Sequence, residues 1–145
     1  MELLENAIKL AAEAHRGQKD KTGQPVILHP LRVMMAMPTD ELRIVAVLHD
    51  VVEDTWFTLE NLQNLDQFDS RILDAVDAIT HRDNETNILY LNRCKRNELA
   101  RQVKLADIAD NSSPLRQMGL TTKTKERLKK KYELGLKILL EGSDD

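Results

Sequence analysis

From Arg43 to Leu48 the chain reads Arg-Ile-Val-Ala-Val-Leu, and it runs directly into His49-Asp50-Val51-Val52-Glu53-Asp54. A helical stretch that is apolar nearly all round belongs in an interior. Any fold of this chain must therefore carry ionisable groups into its core or to the edge of it. Buried carboxylates are costly unless paired or bound to a cation. On one continuous helix, residues four apart share a face, which sets His49 below Glu53 and Asp50 below Asp54. Four proton carriers or metal ligands would then share one stripe. A solvated polar face is the ordinary reading of such a cluster; the apolar run before it argues for burial, and a metal ion is the simplest compensation.

The remaining signals are helical throughout. Leu3, Leu4, Ala7, Ile8, Leu10, Ala11 and Ala14 recur at three- and four-residue spacing, which predicts a helix over 2–16. Gly17, Gly23 and Pro25 among polar residues predict a loop over 17–28. Pro30 is placed to open a short helix whose Leu31, Val33, Met34 and Met35 face a core. Thr39 is a candidate N-cap, with Asp40 and Glu41 in the first turn of the helix that carries the His-Asp doublet. Thr58 and Asp69 or Ser70 start further segments, and another helical pattern runs from near Asn84 to Asn111 with a break around Asn97. Pro114 closes that element, and Thr121 or Thr122 begins a last helix expected to end at Gly142. No strand alternation, repeat or domain boundary stands out. The expected fold class is all-α, with residues 1–145 forming one domain.

Several function classes drop out. A net charge of −3 gives no general attraction to nucleic acid or membrane, and 3% aromatic residues leave little to stack on bases. No apolar run approaches the roughly 18 residues of a membrane span, and no signal-peptide core is present. The single cysteine, Cys94, excludes an internal disulfide and fits a reducing, cytoplasmic setting. Cys94 reads as an incidental helix residue rather than a catalytic thiol.

Two further segments complete a ligand set with His49 and Asp50. They are Ile27-Leu28-His29-Pro30 and Val103-Lys104-Leu105-Ala106-Asp107, the latter followed by Asn111. His29, His49, Asp50 and Asp107 together offer two imidazoles and two carboxylates. That mixed N/O set suits a divalent ion with open positions, such as Mn²⁺, Mg²⁺ or Fe²⁺. Structural zinc is disfavoured, since the chain lacks paired Cys or His at finger spacing. Adjacent residues on a helix point about 100° apart, so His49 and Asp50 meet one ion only in a cleft closed by other helices. His29 and Asp107 are the natural closures.

The pattern resembles the HD-domain phosphohydrolases, in particular the hydrolase domain of the RelA/SpoT alarmone enzymes. The resemblance is carried by Ala14-His15-Arg16-Gly17-Gln18, Gly23-Gln24-Pro25-Val26-Ile27-Leu28-His29-Pro30, Leu48-His49-Asp50-Val51-Val52-Glu53-Asp54-Thr55, and Val103-Lys104-Leu105-Ala106-Asp107 with Asn111. Weaker echoes are Glu85 with Tyr90, and Lys131-Tyr132. These pieces run in family order over about residues 14–132. The resemblance implies a compact multi-helix HD bundle with the metal in a central cleft, held by His29, His49, Asp50 and Asp107, and Mn²⁺ as the usual ion. It implies that Glu53 and Asp54 handle the attacking water. The implied reaction is hydrolytic removal of the 3′-pyrophosphate from guanosine tetra- or pentaphosphate. At 145 residues no room is expected for the synthetase and regulatory domains of the long enzymes.

Lys21, Lys104, Asn111 and Tyr132 are the candidate substrate contacts. Lys104 either meets a phosphate or pairs with nearby acids, and Asn111 either binds the nucleotide or caps its helix. Arg16 and Lys19 could join Lys21 in a polyphosphate wall, and the basic run from Lys123 to Lys131 reads as a solvated face. His15 reads as a core or supporting histidine, and Trp56 as packing for the rim of the site. Two positions depart from the family: Asp20 stands where the alarmone hydrolases carry an Arg, and Val26 where they carry a Tyr. Asp cannot stack as a guanidinium does. Without a stacking guanidinium or aromatic, guanine and adenine are expected to be poorly distinguished. A second reading is a regulatory HD module that binds a nucleotide without turning it over; the complete ligand set favours the enzyme. The expected partner is a phosphorylated nucleotide, with no nucleic acid and no membrane, and a homo-oligomer is compatible with the sequence.

Overall fold

Thr39 does at the start of α3 (Asp40–Leu48) what a threonine before an acidic turn is suited to do: its hydroxyl accepts a hydrogen bond from the Leu42 N–H. The same device recurs along the chain. Thr58 caps α5 (Leu59–Asn64) in a reciprocal box with Asn61. Asp69 caps α6 (Ser70–Ala78), Thr86 caps α7 (Asn87–Arg96), Asn97 caps α8 (Glu98–Asn111) and Thr121 caps α10 (Thr122–Leu140). The computed structural model describes residues 2–141, where four further helices complete the set: α1 (Leu3–Ala14), α2 (Leu28–Met35), α4 (Val51–Asp54) and α9 (Pro114–Gln117). No strand occurs among the described residues; a lone bridge joins Lys19 and Pro25 within the loop between α1 and α2.

The centre of the molecule is α3. It packs against α1, α2, α6 and α8, and from Ile44 to Leu48 it is buried on every side. Its neighbour α1 offers Ala7, Ala11 and Ala14 at its buried positions, small residues that let two helix backbones approach closely. On the far side α10 lies along α7 and α8. A Cβ at Gly135 would come within 2.9 Å of Ile108 Cδ1, so the missing side chain is what permits that close approach. Gly17 and Gly23 both adopt positive φ, which fits the tight turns of the α1–α2 loop.

Four expectations need correction. The heptapeptide is not one helix: α3 stops at Leu48, His49 and Asp50 form a turn, and α4 starts again at Val51. Glu53 and Asp54 consequently lie exposed rather than in the interior. Met35 is 75% exposed, because only Val33 and Met34 of that turn face inward. Pro114 opens the short α9 at its first position, as its fixed φ and missing N–H favour. The last helix ends at Leu140, and the expected end at Gly142 falls outside the described residues.

Burial separates two nearby apolar side chains sharply. Leu48→Ala should cost about 2–5 kcal/mol, the range for truncating a fully buried leucine. Met35→Ala should stay within about 0.5 kcal/mol. Urea unfolding of both variants checks the assignment, and equal losses would contradict it.

Candidate metal centre

Asp107 is a buried carboxylate on the core-facing side of α8. Three side-chain nitrogens meet its Oδ1: His29 Nε2 at 2.7 Å, His49 Nε2 at 3.2 Å and Asn111 Nδ2 at 3.2 Å. Its Oδ2 accepts from Lys104 Nζ at 2.8 Å. Asp50 Oδ2 lies 3.2 Å from His49 Nε2 and 3.7 Å from His29 Nε2. One ligand atom from each of His29, His49, Asp50 and Asp107 lies within 4.8 Å of the other three. The structure thus gathers the four residues expected from sequence out of α2, the turn after α3, and α8.

Each imidazole is aimed by its other nitrogen. His49 Nδ1 donates to the Ala46 carbonyl, and His29 Nδ1 to Asp110 Oδ2 at 2.6 Å. Both Nε2 atoms are left facing the cluster, as metal-ligating histidines require. Asp110 is in turn gripped by Arg32, whose Nε and Nη2 donate at 2.8 and 3.1 Å. Sequence reading missed Asp110 and Arg32. The signal was present in the spacing: each lies three residues beyond a ligand, Asp110 after Asp107 and Arg32 after His29, which keeps it on the ligand's helix face.

The donor set fits a divalent ion. Bonds of about 2.1 Å place neighbouring ligand atoms of an octahedron about 3 Å apart, and the His-to-carboxylate separations run from 2.7 to 3.7 Å. Electrostatics point the same way. Burial disfavours charge on His49, yet the carboxylates of Asp50 and Asp107 more than offset it and raise its pKa to about 9. Asp107 is buried too, but the Lys104 ammonium and the two histidines hold it well below the usual carboxylate range. Protons on imidazole therefore neutralise a site whose acids call for a cation.

Asp50 also belongs to a second cluster, with Glu53 and Asp54. In it Glu53 and Asp54 are exposed to solvent, and Asp50 lies at the boundary. Glu53 Oε1 accepts the His81 N–H at 2.7 Å. Partial desolvation and the negative charges of Asp50 and Glu53 lift Asp54 to about 6; desolvation and Asp50 lift Glu53 as well, against the pull of the His81 N–H. The His81 amide is itself braced. Arg93 pairs with Glu85 and donates to the carbonyls of Ala78 and Thr80, fixing the turn before His81. Trp56, 70% exposed, stands clear of the core beside Phe57.

The candidate substrate residues divide. Lys21, Asn111 and Tyr132 line one cavity of about 280 Å³, together with Lys19, Asp20 and Arg116. Asn111 joins that cavity to Asp107. Lys104 is instead an ion-pair partner of Asp107 and borders a smaller cavity of about 70 Å³ with Asn111 and Tyr132. Asp20 turns out to organise its loop: its Oδ1 accepts from the Thr22 N–H, the Thr22 hydroxyl and the Gln24 N–H. The expected lack of a guanidinium and aromatic is also corrected, since Arg116 and Tyr132 both stand in the cavity wall. Arg116 escaped the sequence reading because α9 carries no motif. His15 is buried, as expected of a supporting histidine.

A family model described as an HD domain matches residues 7–128. The chain is 34% identical over 116 residues to a putative chloroplastic GTP diphosphokinase, RSH1, of Arabidopsis thaliana, a match covering 74% of this chain and 12% of that protein. It is 37% identical over 83 residues to a guanosine-3′,5′-bis(diphosphate) 3′-pyrophosphohydrolase of Aquifex aeolicus, covering 54% of this chain and 12% of the relative. The chain thus spans only 12% of the length of either relative. Its fold is similar, with a TM-score of 0.79 and 22% identity, to a solved metazoan ortholog of SpoT described as hydrolysing ppGpp; the match covers 99% of this chain and 89% of that one. No helix among the described residues is long and apolar enough to cross a membrane.

The raised pKa of His49 has a measurable consequence. A folded-state value near 9 means the ring carries a proton at neutral pH, and ligation requires its loss. Metal binding at pH 7 should release about one proton, and affinity should weaken as pH falls from 9. Calorimetric titration in buffers of different ionisation enthalpy measures this; a buffer-independent heat would contradict it. Asp110→Asn should weaken metal binding about 10–100-fold through the aim of His29.

Proposed function

Because the chain belongs to the HD domain family, we propose that it is a metal-dependent hydrolase that removes the 3′-pyrophosphate from guanosine tetra- or pentaphosphate or a related phosphorylated nucleotide. The observation that carries this reading is the four-residue N/O cluster sharing Asp50 with an exposed acidic pair. We assign His29, His49, Asp50 and Asp107 to the ion, with Mn²⁺ as the first choice for a mixed imidazole and carboxylate set. When bound, the ion supplies positive charge that acidifies water and neutralises phosphoryl oxygens as charge shifts in the transition state.

The residues of the chain divide the remaining work. Asp54, with its carboxyl lifted to about 6, is ionised at neutral pH yet more basic than an ordinary aspartate, so it can take a proton from water. Glu53, pinned through one oxygen by the His81 N–H, orients that water with the other. The water oxygen bonds to the 3′-linked phosphorus, the bond from that phosphorus to the 3′ oxygen breaks, and a proton ends on the 3′ oxygen as pyrophosphate leaves. Lys19 and Lys21 on the cavity wall meet polyphosphate charge, Asn111 reaches from the cavity to the metal cluster, and Tyr132 and Arg116 flank the base. Lys104 holds Asp107 ionised as a ligand.

His49→Ala and Asp50→Ala should lose metal and turnover together. Glu53→Gln should keep the metal and lower turnover by roughly 10²–10⁴-fold, the usual contribution of a positioned acid or base. Metal content and rates of the Mn²⁺-loaded variants decide the matter. A Glu53→Gln protein that retains full rate would make the acidic pair structural, and a wild-type protein that binds these nucleotides without turnover would favour the regulatory module.

Base choice is a separate test. Stacking on Tyr132 and Arg116 is indifferent to the edge of the base, because every base has a π-face. Adenosine and guanosine analogues with the same 3′-pyrophosphate should turn over at comparable rates. A guanine preference above about a hundredfold, roughly 2.7 kcal/mol, would mean that the edge is read as well.

A further inference from the structure

His15 and Gln18 come from a conspicuous stretch, Ala14-His15-Arg16-Gly17-Gln18, that the reaction itself does not use. The His15 ring is buried, and its Nε2 has no hydrogen-bond partner. An orphaned buried polar atom costs stability, so an apolar side chain would serve packing better. The one polar contact of the ring runs outward: Nδ1 meets Gln18 Oε1 at 2.9 Å. That contact fixes which way round the Gln18 amide sits, and the amide Nε2 then donates to the Asp54 backbone carbonyl at 2.9 Å.

The receiving segment needs such a tie. α4 is a single turn with no side-chain cap at its start. One turn of helix does not hold itself, and its last carbonyls lack helical partners. The same glutamine anchors the cavity loop through its backbone, since the Gln18 carbonyl accepts from the Val26 N–H just beyond Lys19, Asp20, Lys21 and Thr22. Gln18 therefore ties the loop that lines the cavity to the turn that carries the acids.

We infer that His15 and Gln18 are positioning residues, a buried-to-surface hydrogen-bond relay that sets Asp54 against the substrate loop. The inference rests on the reading of Glu53 and Asp54 as the residues that handle water. Gln18→Ala and His15→Leu should each lower kcat about 10–100-fold, as a misplacement near 1 Å can. KM and Mn²⁺ affinity should stay within about twofold, because neither residue touches substrate or metal. His15→Asn, which keeps an N–H donor where Nδ1 stood, should recover most of the rate.

A double-mutant cycle separates positioning from general support. In an Asp54→Asn background, Gln18→Ala should have no further effect on kcat, because the two act as one unit. The same proteins should show faster amide exchange across residues 51–55 on loss of Gln18, with exchange in α3 and α8 unchanged. Equal rate losses in both backgrounds, or unchanged exchange across 51–55, would overturn the inference. Should wild-type protein hydrolyse no 3′-pyrophosphate nucleotide, the hydrolase reading fails on its own. The exchange experiment then still decides whether His15 and Gln18 hold the acid-bearing turn.

Discussion

Asp107 places a negative charge in the interior of the molecule, with only 4% of the residue exposed. A carboxylate in that position persists only if every lone pair finds a donor or a cation. Its partners come from separate parts of the chain: His29 from α2, His49 from the turn after α3, Lys104 and Asn111 from its own helix. Meeting that demand fixes how α2, α3 and α8 sit relative to one another. Arg32 and Asp110 extend the bracing one layer outward, and the Tyr90 ring backs Lys104 with its nitrogen 5.1 Å from the ring centre. Removing any one partner leaves a buried charge short of compensation, so structure and site cannot be separated here.

The break in the helix at His49 and Asp50 organises the function. A continuous helix would have carried Glu53 and Asp54 along the line of the buried run. The turn instead leaves His49 in the core and Asp50 at the boundary, and lets α4 emerge at the surface. Asp50 then belongs to both the inner N/O cluster and the outer acidic one. Ligands are shielded while the acids stay in contact with water, the reagent they are proposed to handle. The unequal settings also push the titration of neighbouring groups apart. His49 moves up to about 9 and Asp54 to about 6, while Asp107 is held down.

Much of this was legible in the residues. Helix starts were marked by Thr39 and Thr58 and, to within one residue, by Asp69 or Ser70 and Thr121 or Thr122, of which Asp69 and Thr121 are the caps. The four clustered side chains were legible because two imidazoles and two carboxylates beside apolar runs have few other uses. What sequence could not supply was tertiary. The helix break arises where His49 Nδ1 turns back to the Ala46 carbonyl, a local bond that no periodicity records. The role of Asp20 rests on three hydrogen bonds that only the folded loop brings together. Arg116 enters the cavity from a one-turn helix with no pattern, and Met35 faces out while Val33 and Met34 of the same turn face in.

The central claim is that one divalent ion joins the groups around Asp107. Anomalous diffraction from Mn²⁺-soaked crystals, recorded at the manganese absorption edge, tests it most directly. The account predicts one strong peak within bonding distance of His29 Nε2, His49 Nε2 and carboxylate oxygens of Asp50 and Asp107. A peak confined to Asp50, Glu53 and Asp54, or none near Asp107, would contradict it.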